Sequence, residues 1–350
     1  MSYQLIRPLF FALDAERAHH LSVALLRMMP LPHPSAADPA LAQTVAGISF
    51  PNPVGLAAGY DKEGLVAHKM HGLGFGFAEL GTLTPMPQTG NPQPRLFRLV
   101  EDRAVINRMG FNNGGLAAAA ERVAKRRKPA GSGTGPVIGI NIGANKDAAD
   151  RIADYVTGVT CMAPLADYLT VNISSPNTPG LRALQDRGAL EALLDGVAAA
   201  QPAGAAKPVF LKVAPDLETA DIDDIVAVAF DKGLAAVIVS NTTNERSALV
   251  SRHGGEAGGL SGAPLAELAL RRVKDFHVAS GGKLPLVAAG GIASADDAWQ
   301  RIRAGAGLIQ IYSAMVYEGP GLAARIAHGL EELAVRDGFA RVSDAVGTAN

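Results

Sequence analysis

Eight short apolar or β-branched runs recur along the chain, at residues 54–59, 77–84, 137–143, 168–174, 208–215, 235–242, 284–291 and 308–314. Most are separated by segments with helical spacing, as where Ile222, Ile225, Val226 and Ala229 fall on one helical face. Strands that alternate with helices pair in parallel through right-handed crossovers. Eight such units predict an α/β fold, a closed (β/α)8 TIM barrel, over an open doubly wound sheet. The barrel is expected over residues 41–336, the scale of this fold at about 250 residues or more with insertions. Ser294-Ala-Asp-Asp297 reads as a capping box, with Gly305 ending the helix it opens.

Two segments stand outside the repeat. A Pro-rich stretch, 85–94, follows the second strand and continues into a polar insertion, 95–113; long insertions at that end of a barrel usually serve the site. The N-terminal segment 1–34 reads as two short amphipathic helices joined in a small extension. Leu5, Ile6, Leu9, Phe10 and Leu13 make one stripe; Asp14 caps the second helix, whose face carries Ala18, Leu21, Leu25, Met28 and Met29. Pro30, Pro32 and Pro34 end it. The expected division is a helical segment and linker at 1–40, the barrel at 41–336 and a tail at 337–350, small or polar and expected to fray.

Composition narrows the function classes. With 48% hydrophobic and 19% charged residues, the 350-residue chain can build a large core. A formal net charge of -1 and the lack of a basic, aromatic-interleaved run argue against nucleic acid. Arg126-Arg127-Lys128 is short and sits at a helix end, where cations suit the dipole. The single cysteine, Cys161, rules out an internal disulfide and a multi-cysteine metal site. No signal-peptide pattern and no membrane-spanning run is present, and no obligate protein partner is evident.

Active sites of such barrels lie at the C-terminal ends of the strands, and here those ends are polar. The first strand leads to Asp61-Lys62, the third carries Asn141, and the fourth carries Asn172 and leads to Ser175 and Asn177. The fifth carries Lys212, the sixth ends Ser240-Asn-Thr-Thr243, the seventh ends Gly290-Gly291, and the eighth carries Tyr312-Ser313. Alternation sorts the faces: Ile138, Ile140 and Ile142 oppose Gly139 and Asn141; Leu169, Val171 and Ile173 oppose Thr170, Asn172 and Ser174; Leu211 and Val213 oppose Lys212. Apolar faces are expected against the helices and polar faces around the barrel mouth. Lys212 is costly to bury without an acceptor, so it either meets a ligand or pairs with a barrel carboxylate such as Glu79.

The densest polar stretch is Asn172-Ile-Ser-Ser-Pro-Asn-Thr-Pro-Gly180. Its amides and hydroxyls suit a planar polar ligand, with Pro176 and Pro179 stiffening the loop; an ordinary polar turn is the other reading. Gly258-Gly-Leu-Ser-Gly262 and Gly290-Gly-Ile292 read as βα turns whose N–H groups cradle a phosphate, or as tight turns alone. Gly131-Ser-Gly-Thr-Gly135 precedes a strand rather than following one, and Gly281-Gly-Lys283 lacks phosphate-loop spacing. His19-His20 are adjacent on a helix and make a poor metal pair; no metal site is expected.

Taken in order, Ala57-Ala-Gly-Tyr-Asp-Lys62, Glu79-Leu-Gly-Thr82, Asn107-Arg-Met-Gly-Phe-Asn112, Asn172-Ile-Ser-Ser-Pro-Asn-Thr178, Ser240-Asn-Thr-Thr243, Gly259-Leu-Ser-Gly262 and Ile311-Tyr-Ser313 resemble the dihydroorotate dehydrogenases. The match is to the quinone-reducing, membrane-associated class 2 enzymes and runs from Arg7 to Tyr312. It implies one FMN per chain and oxidation of (S)-dihydroorotate to orotate in de novo pyrimidine (UMP) synthesis, with ubiquinone or menaquinone as final acceptor. It puts Lys62, Asn107, Arg108, Met109, Gly110, Phe111, Asn172, Asn177, Asn241 and Thr242 around the substrate. FMN contacts are implied for Ala58, Gly59, Tyr60, Asp61, Lys62, Thr82, Asn141, Asn172, Lys212, Ser240, Gly262, Gly291, Tyr312 and Ser313; relatives often carry Thr where this chain has Ser240. Lys212 would lie beside the flavin ring, where a cation stabilises the anionic reduced form.

By the same resemblance Ser175 is the base, taking the proton from C5 of dihydroorotate while hydride leaves C6. Thr178 and a water chain are the implied relay, shielded by Phe111. Class 1 relatives use Cys at the base position, whereas Cys161 lies well before this loop. In class 2 enzymes a helix pair like that in 1–34 forms an apolar slot that admits quinone from the bilayer, and His19, Arg98 and Tyr312 would line the quinone path. Arg7, Arg17 and Arg27 against Asp14 and Glu16 leave one net positive charge, so interface binding would rest on apolar area. Both stripes packing as barrel core is the alternative. The implied location is peripheral, on the cytoplasmic face of the bacterial inner membrane. Removing 1–34 is expected to abolish quinone reduction and spare flavin reduction. Two rivals stay open: an FMN barrel acting on another cyclic imide or dihydropyrimidine, and a non-catalytic phospholigand-binding barrel with a membrane-docking hairpin.

Overall fold

A computed structural model describes residues 3–32, 38–126, 136–246 and 248–349; Pro34, Arg127, Lys128 and the run from Gly131 to Gly135 lie outside the described residues. In chain order the strands are β1 (Gln43–Val45), β2 (Ile48–Phe50), β3 (Val54–Leu56), β4 (Phe77–Leu83), β5 (Leu96–Leu99), β6 (Ala104–Asn107), β7 (Val137–Ile142), β8 (Tyr168–Asn172), β9 (Val209–Val213), β10 (Ala236–Val239), β11 (Gly259–Gly262), β12 (Leu286–Ala289) and β13 (Ala306–Ile311). Among them β3, β4, β7, β8, β9, β10, β12 and β13 close a parallel barrel, β13 returning to β3 through Ile309↔Val54. The expected (β/α)8 barrel is therefore present. Seven of its strands lie inside the runs read from the sequence, and β13 begins two residues before its run.

The helices are α1 (Tyr3–Ala12), α2 (Ala15–Met28), α3 (Gly115–Arg126), α4 (Arg151–Met162), α5 (Arg187–Ala199), α6 (Thr219–Asp231), α7 (Ala266–Ala279), α8 (Ala295–Arg303), α9 (Ala314–Glu318) and α10 (Leu322–Arg336). Alternation sorts the strand faces as expected. Ile138, Ile140, Ile142, Leu169, Val171, Leu211 and Val213 pack outward in the main core with residues of the helices. The opposite faces put Phe77, Tyr168, Phe210, Ile238, Val287 and Leu308 inside the barrel, joined by Phe50 of the β1–β2 hairpin. Tyr168 stacks on Phe210 at 4.3 Å between ring centroids. These rings fill the N-terminal end of the barrel, so polar side chains are left to the C-terminal end. At α8, Ser294 Oγ accepts from Asp297 N as expected, but Asp297 Oδ2 accepts from Ala293 N, one residue before the cap.

Three expectations need correction. The insertion 95–113 is not simply a polar loop: β5, β6 and β11 form an antiparallel sheet across the mouth, with Asn107 opposite both Leu96 and Gly259. Within Gly258-Gly-Leu-Ser-Gly262, residues Gly259–Gly262 accordingly form a strand rather than a βα turn. Its glycines answer to close approach, since a Cβ at Gly259 would collide with the Thr242 side chain. The tail also packs: Val342 and Ala345 are buried, and Gly347 N and Ala349 N donate to Ile302 O and Arg303 O. Two small apolar residues and those backbone bonds hold it against α8.

Candidate active site

The C-terminal strand ends open into a cavity of about 450 Å³ that continues outward between α1 and α2. Glu79 anchors its floor. The Glu79 carboxylate accepts from Asn141 Nδ2 (2.7 Å), Tyr168 OH (3.2 Å), Thr170 Oγ1 (3.0 Å) and Gln310 Nε2 (2.9 Å). Four neutral donors satisfy this buried anion, so its charge needs no cation in contact. Lys212 also points into the cavity from β9. It is only 5% exposed and makes no hydrogen bond or ion pair among the described residues. Burial holds its pKa below the usual lysine range, with the Glu79 charge opposing the shift. The ion pair with Glu79 that the sequence left open is not formed.

Above Glu79 the polar strand ends make one network. Thr82 Oγ1 donates to Asn141 Oδ1 at 2.5 Å, and Asn172 Nδ2 donates to Thr82 Oγ1 at 2.9 Å and to Asn141 Oδ1 at 3.1 Å. Asn172 Oδ1 accepts from Ser174 Oγ at 2.9 Å, whose oxygen accepts from Asn241 Nδ2 at 2.8 Å. Strands β4, β7 and β8 and the loop after β10 are thus joined side chain to side chain. The loop after β8 turns at Ser175, whose Oγ accepts from Asn177 N at 3.2 Å; Asn177 Nδ2 reaches Asn107 Oδ1 of β6 at 3.3 Å. Thr242 Oγ1 and Gln310 Oε1 are buried with no partner among the described residues, and both residues line the cavity.

Lys62 enters from the loop after β3 and donates to Gly59 O at 2.6 Å. Burial lowers its pKa to about 8, against a raising effect from Glu16 and a further lowering by Arg95. Outward from it the wall turns aromatic: Tyr312 meets Tyr60 edge-on at 5.8 Å, and Tyr60 meets His19 of α2 at 5.3 Å. Tyr60 OH lies 3.0 Å from Ser22 Oγ. Burial, with the Lys62 charge adding to it, holds His19 well below the usual imidazole range. Arg98 closes the slot from β5, donating to Phe10 O at 2.8 Å and to Leu13 O, with its guanidinium 4.9 Å from the Phe11 ring centre. The two helix stripes divide. Ile6, Phe10, Ala18, Leu25 and Met29 line the cavity, whereas Leu5, Leu9 and Met28 are over 70% exposed.

Of the residues expected at the site, Ala58, Gly59, Tyr60, Lys62, Thr82, Asn107, Met109, Gly110, Phe111, Asn172, Ser175, Asn177, Lys212, Ser240, Asn241, Thr242, Gly262, Gly291, Tyr312 and Ser313 line this one cavity, with His19 and Arg98 at its outer end. Four do not. Asp61 turns away, its carboxylate accepting from the N–H groups of Glu63, Leu65, Val66 and Ala67. Asn141 stands behind Thr82 and Asn172, and Arg108 pairs with Glu256 at 2.8 Å. Thr178 is buried in the Ser175 loop but outside the wall. Gln310, Ser261 and the buried Glu16–Arg95 pair were missed. Gln310 had a signal, as a polar residue alternating with Ile309 and Ile311, and Ser261 sits inside the glycine-rich stretch already singled out.

The protein-family model described as Dihydroorotate dehydrogenase matches residues 40–334. A Sphingopyxis alaskensis protein named "Dihydroorotate dehydrogenase (quinone)" is 73% identical over 346 residues, covering 99% of this chain and 96% of that one. A protein of the same name from Novosphingobium aromaticivorans is 62% identical, covering 99% of each chain. Among solved structures, Eimeria tenella DHODH in complex with ferulenol superposes with a TM-score of 0.92 at 37% identity, over 98% of this chain and 99% of that one.

Proposed function

The chain belongs to the dihydroorotate dehydrogenase family, among its quinone-dependent class 2 members, and from that premise we propose that the cavity at the C-terminal strand ends holds FMN, dihydroorotate and quinone in that order outward, with Ser175 as the base. The enzyme oxidises dihydroorotate to orotate in pyrimidine biosynthesis and passes the electrons to a quinone.

The donor set suits FMN. A buried cation with no partner among the described residues, Lys212, faces the cavity from β9, and Gly59 (φ +106°) brings backbone close, where a Cβ would lie 3.3 Å from the Tyr312 ring. Ser261 and Ser313 hydroxyls meet at 2.7 Å beside Gly262 and Gly291, a neutral cluster able to take phosphate oxygens. Thr82, Asn172 and Ser240 would hold the ring edge. When bound, FMN supplies the two-electron acceptor between dihydroorotate and quinone.

The remaining chemistry belongs to the chain. Lys62 would bind the substrate carboxylate, and the carboxamides of Asn107, Asn177 and Asn241 with the free Thr242 hydroxyl would match the pyrimidine edge. Ser175 would accept the C5 proton; the Asn177 N–H donated to its oxygen orients the lone pairs. Phe111 seals that side against bulk water, and Thr178 is the relay we assign within the same loop. Lys212 would stabilise the negative charge that the acceptor beside it gains with the hydride from C6. His19, Tyr312 and Arg98 would line the quinone path, with ubiquinone or menaquinone the acceptor.

Among the described residues no helix is long and apolar enough to cross a membrane. The exposed Leu5, Leu9 and Met28 on α1 and α2 support peripheral attachment through 1–40, at the cytoplasmic face of a bacterial inner membrane, with 41–336 as the catalytic barrel and 337–350 as a tail.

One observation carries this reading: a buried lysine without a partner among the described residues shares a cavity with the Ser175 loop. Anaerobic addition of dihydroorotate to the purified protein tests it. A yellow protein that bleaches with one equivalent per chain supports it, and a colourless or unbleached protein overturns it.

A further inference from the structure

We propose that Glu16, on the helix pair at the quinone end, is a positioning residue for the dihydroorotate end of the cavity. The inference rests on assigning the Ser175 loop to dihydroorotate. Glu16 lies in the first turn of α2, yet it is only 5% exposed and its partner Arg95 only 8%. Arg95 Nη2 donates to Glu16 Oε1 at 2.7 Å, Nε donates to Oε2 at 3.1 Å, and Gln93 Nε2 donates to Oε2 at 3.0 Å. The far side of the same guanidinium holds the loop after β4, with Nη1 donating to Thr89 O at 2.6 Å and Asn91 O at 2.8 Å. Asn91 carries the hold onward. Its Nδ2 donates to Asn177 O at 3.3 Å and to Arg108 O at 3.0 Å, and its N–H donates to Met109 O at 3.0 Å. Asn177 N in turn donates to Ser175 Oγ.

An unbroken set of contacts therefore runs from α2 to the base loop, and it passes through one buried charge pair. Breaking such a pair from one side leaves an uncompensated charge indoors and forces local rearrangement. Here the charge left behind would be Arg95, which opposes the positive charge on Lys62 while Glu16 supports it. Loss of Glu16 should thus loosen the Asn91 grip and weaken the carboxylate site together. Removing 1–34 should then impair dihydroorotate use as well as quinone reduction, in place of the simple division expected from the sequence.

The test uses full-length, FMN-loaded enzyme and the variant Glu16→Gln. Orotate affinity is read by flavin absorbance titration, and the two Michaelis constants are measured separately. Orotate Kd and dihydroorotate KM should each rise about tenfold or more while quinone KM stays within about twofold, the mark of a misplaced loop rather than a damaged slot. Asn91→Ala, which keeps the ion pair, should also weaken orotate binding and decides the matter if Glu16→Gln does not fold. Unchanged orotate affinity in the folded variants, or a rise in quinone KM alone, overturns the proposal. Failure of the unaltered enzyme to bind orotate would instead overturn the assignment of the site.

Discussion

Arg182 Nη2 donates to the carbonyl of Thr242 at 3.0 Å, so the segment that follows Ser175 is tied to the loop that carries Asn241 and Thr242. The same guanidinium donates through Nε to Ser174 O at 3.0 Å and through Nη1 to Asp216 Oδ2 at 2.7 Å. Three barrel loops share one rigid, half-buried fork. Arg182→Ala should lower kcat/KM for dihydroorotate by about 10- to 100-fold, because small misplacement of reacting groups costs that much. Bound flavin should be retained, since none of these contacts touches Lys212 or the Ser261–Ser313 cluster. Stopped-flow flavin reduction and flavin content measure both quantities.

Lys62, to which we assign the substrate carboxylate, should set a pH limit on ligand binding. Its pKa of about 8 lies below the ordinary 10.5, so the cation is present below about 8 and lost as pH rises through that value. A carboxylate ligand prefers the cation. Orotate Kd should stay flat below this pH and rise above it, approaching about tenfold per pH unit. In Lys62→Met the affinity should be weaker and the upward limb absent, as isothermal titration across pH 6.5–9.5 would reveal (a window of about three units around that pKa).

If Lys212 serves the flavin through its charge, it should contribute nothing to stability. Replacing a buried, partnerless cation with an apolar side chain of similar length removes a desolvation cost. Lys212→Met should melt no lower than the unaltered protein, yet its flavin should be reduced by dihydroorotate at least about 100-fold more slowly. Calorimetry and rapid-mixing absorbance provide the two readings.

Attachment through α1 and α2 should depend on outward-facing apolar side chains alone. Leu5→Glu combined with Leu9→Glu should abolish co-sedimentation with phospholipid vesicles, since each buried leucine contributes about 1.5–3 kcal/mol. Turnover with a short-chain soluble quinone should change less than about twofold, because both side chains point away from the cavity lined by Ile6 and Phe10.

Much of this was legible in the sequence because barrel strands announce themselves locally. Phe77 to Leu83 and Tyr168 to Asn172 are continuous buried runs, and alternation within them separates Ile140 from Asn141 and Val171 from Asn172 before any fold is known. What stayed hidden is non-local. Strand β11 has the composition of a turn and becomes a strand only by pairing with β6, some 150 residues earlier. Glu16 reads as an ordinary first-turn carboxylate, and nothing near it in the chain names Arg95 as its partner. Asp61 shows the converse: a polar residue beside the site, inside a matching motif, that spends its carboxylate on four backbone N–H groups of its own loop.

Ser175 is assigned removal of the C5 proton in a cavity otherwise complete without it. Anaerobic stopped-flow reduction of the Ser175→Ala holoenzyme by dihydroorotate measures this directly. The flavin should be reduced about 100- to 10,000-fold more slowly at neutral pH, the range ascribed to a positioned general base, while orotate Kd stays within about threefold of the unaltered enzyme. Reduction at the unaltered rate would contradict the assignment and move the base elsewhere in the wall.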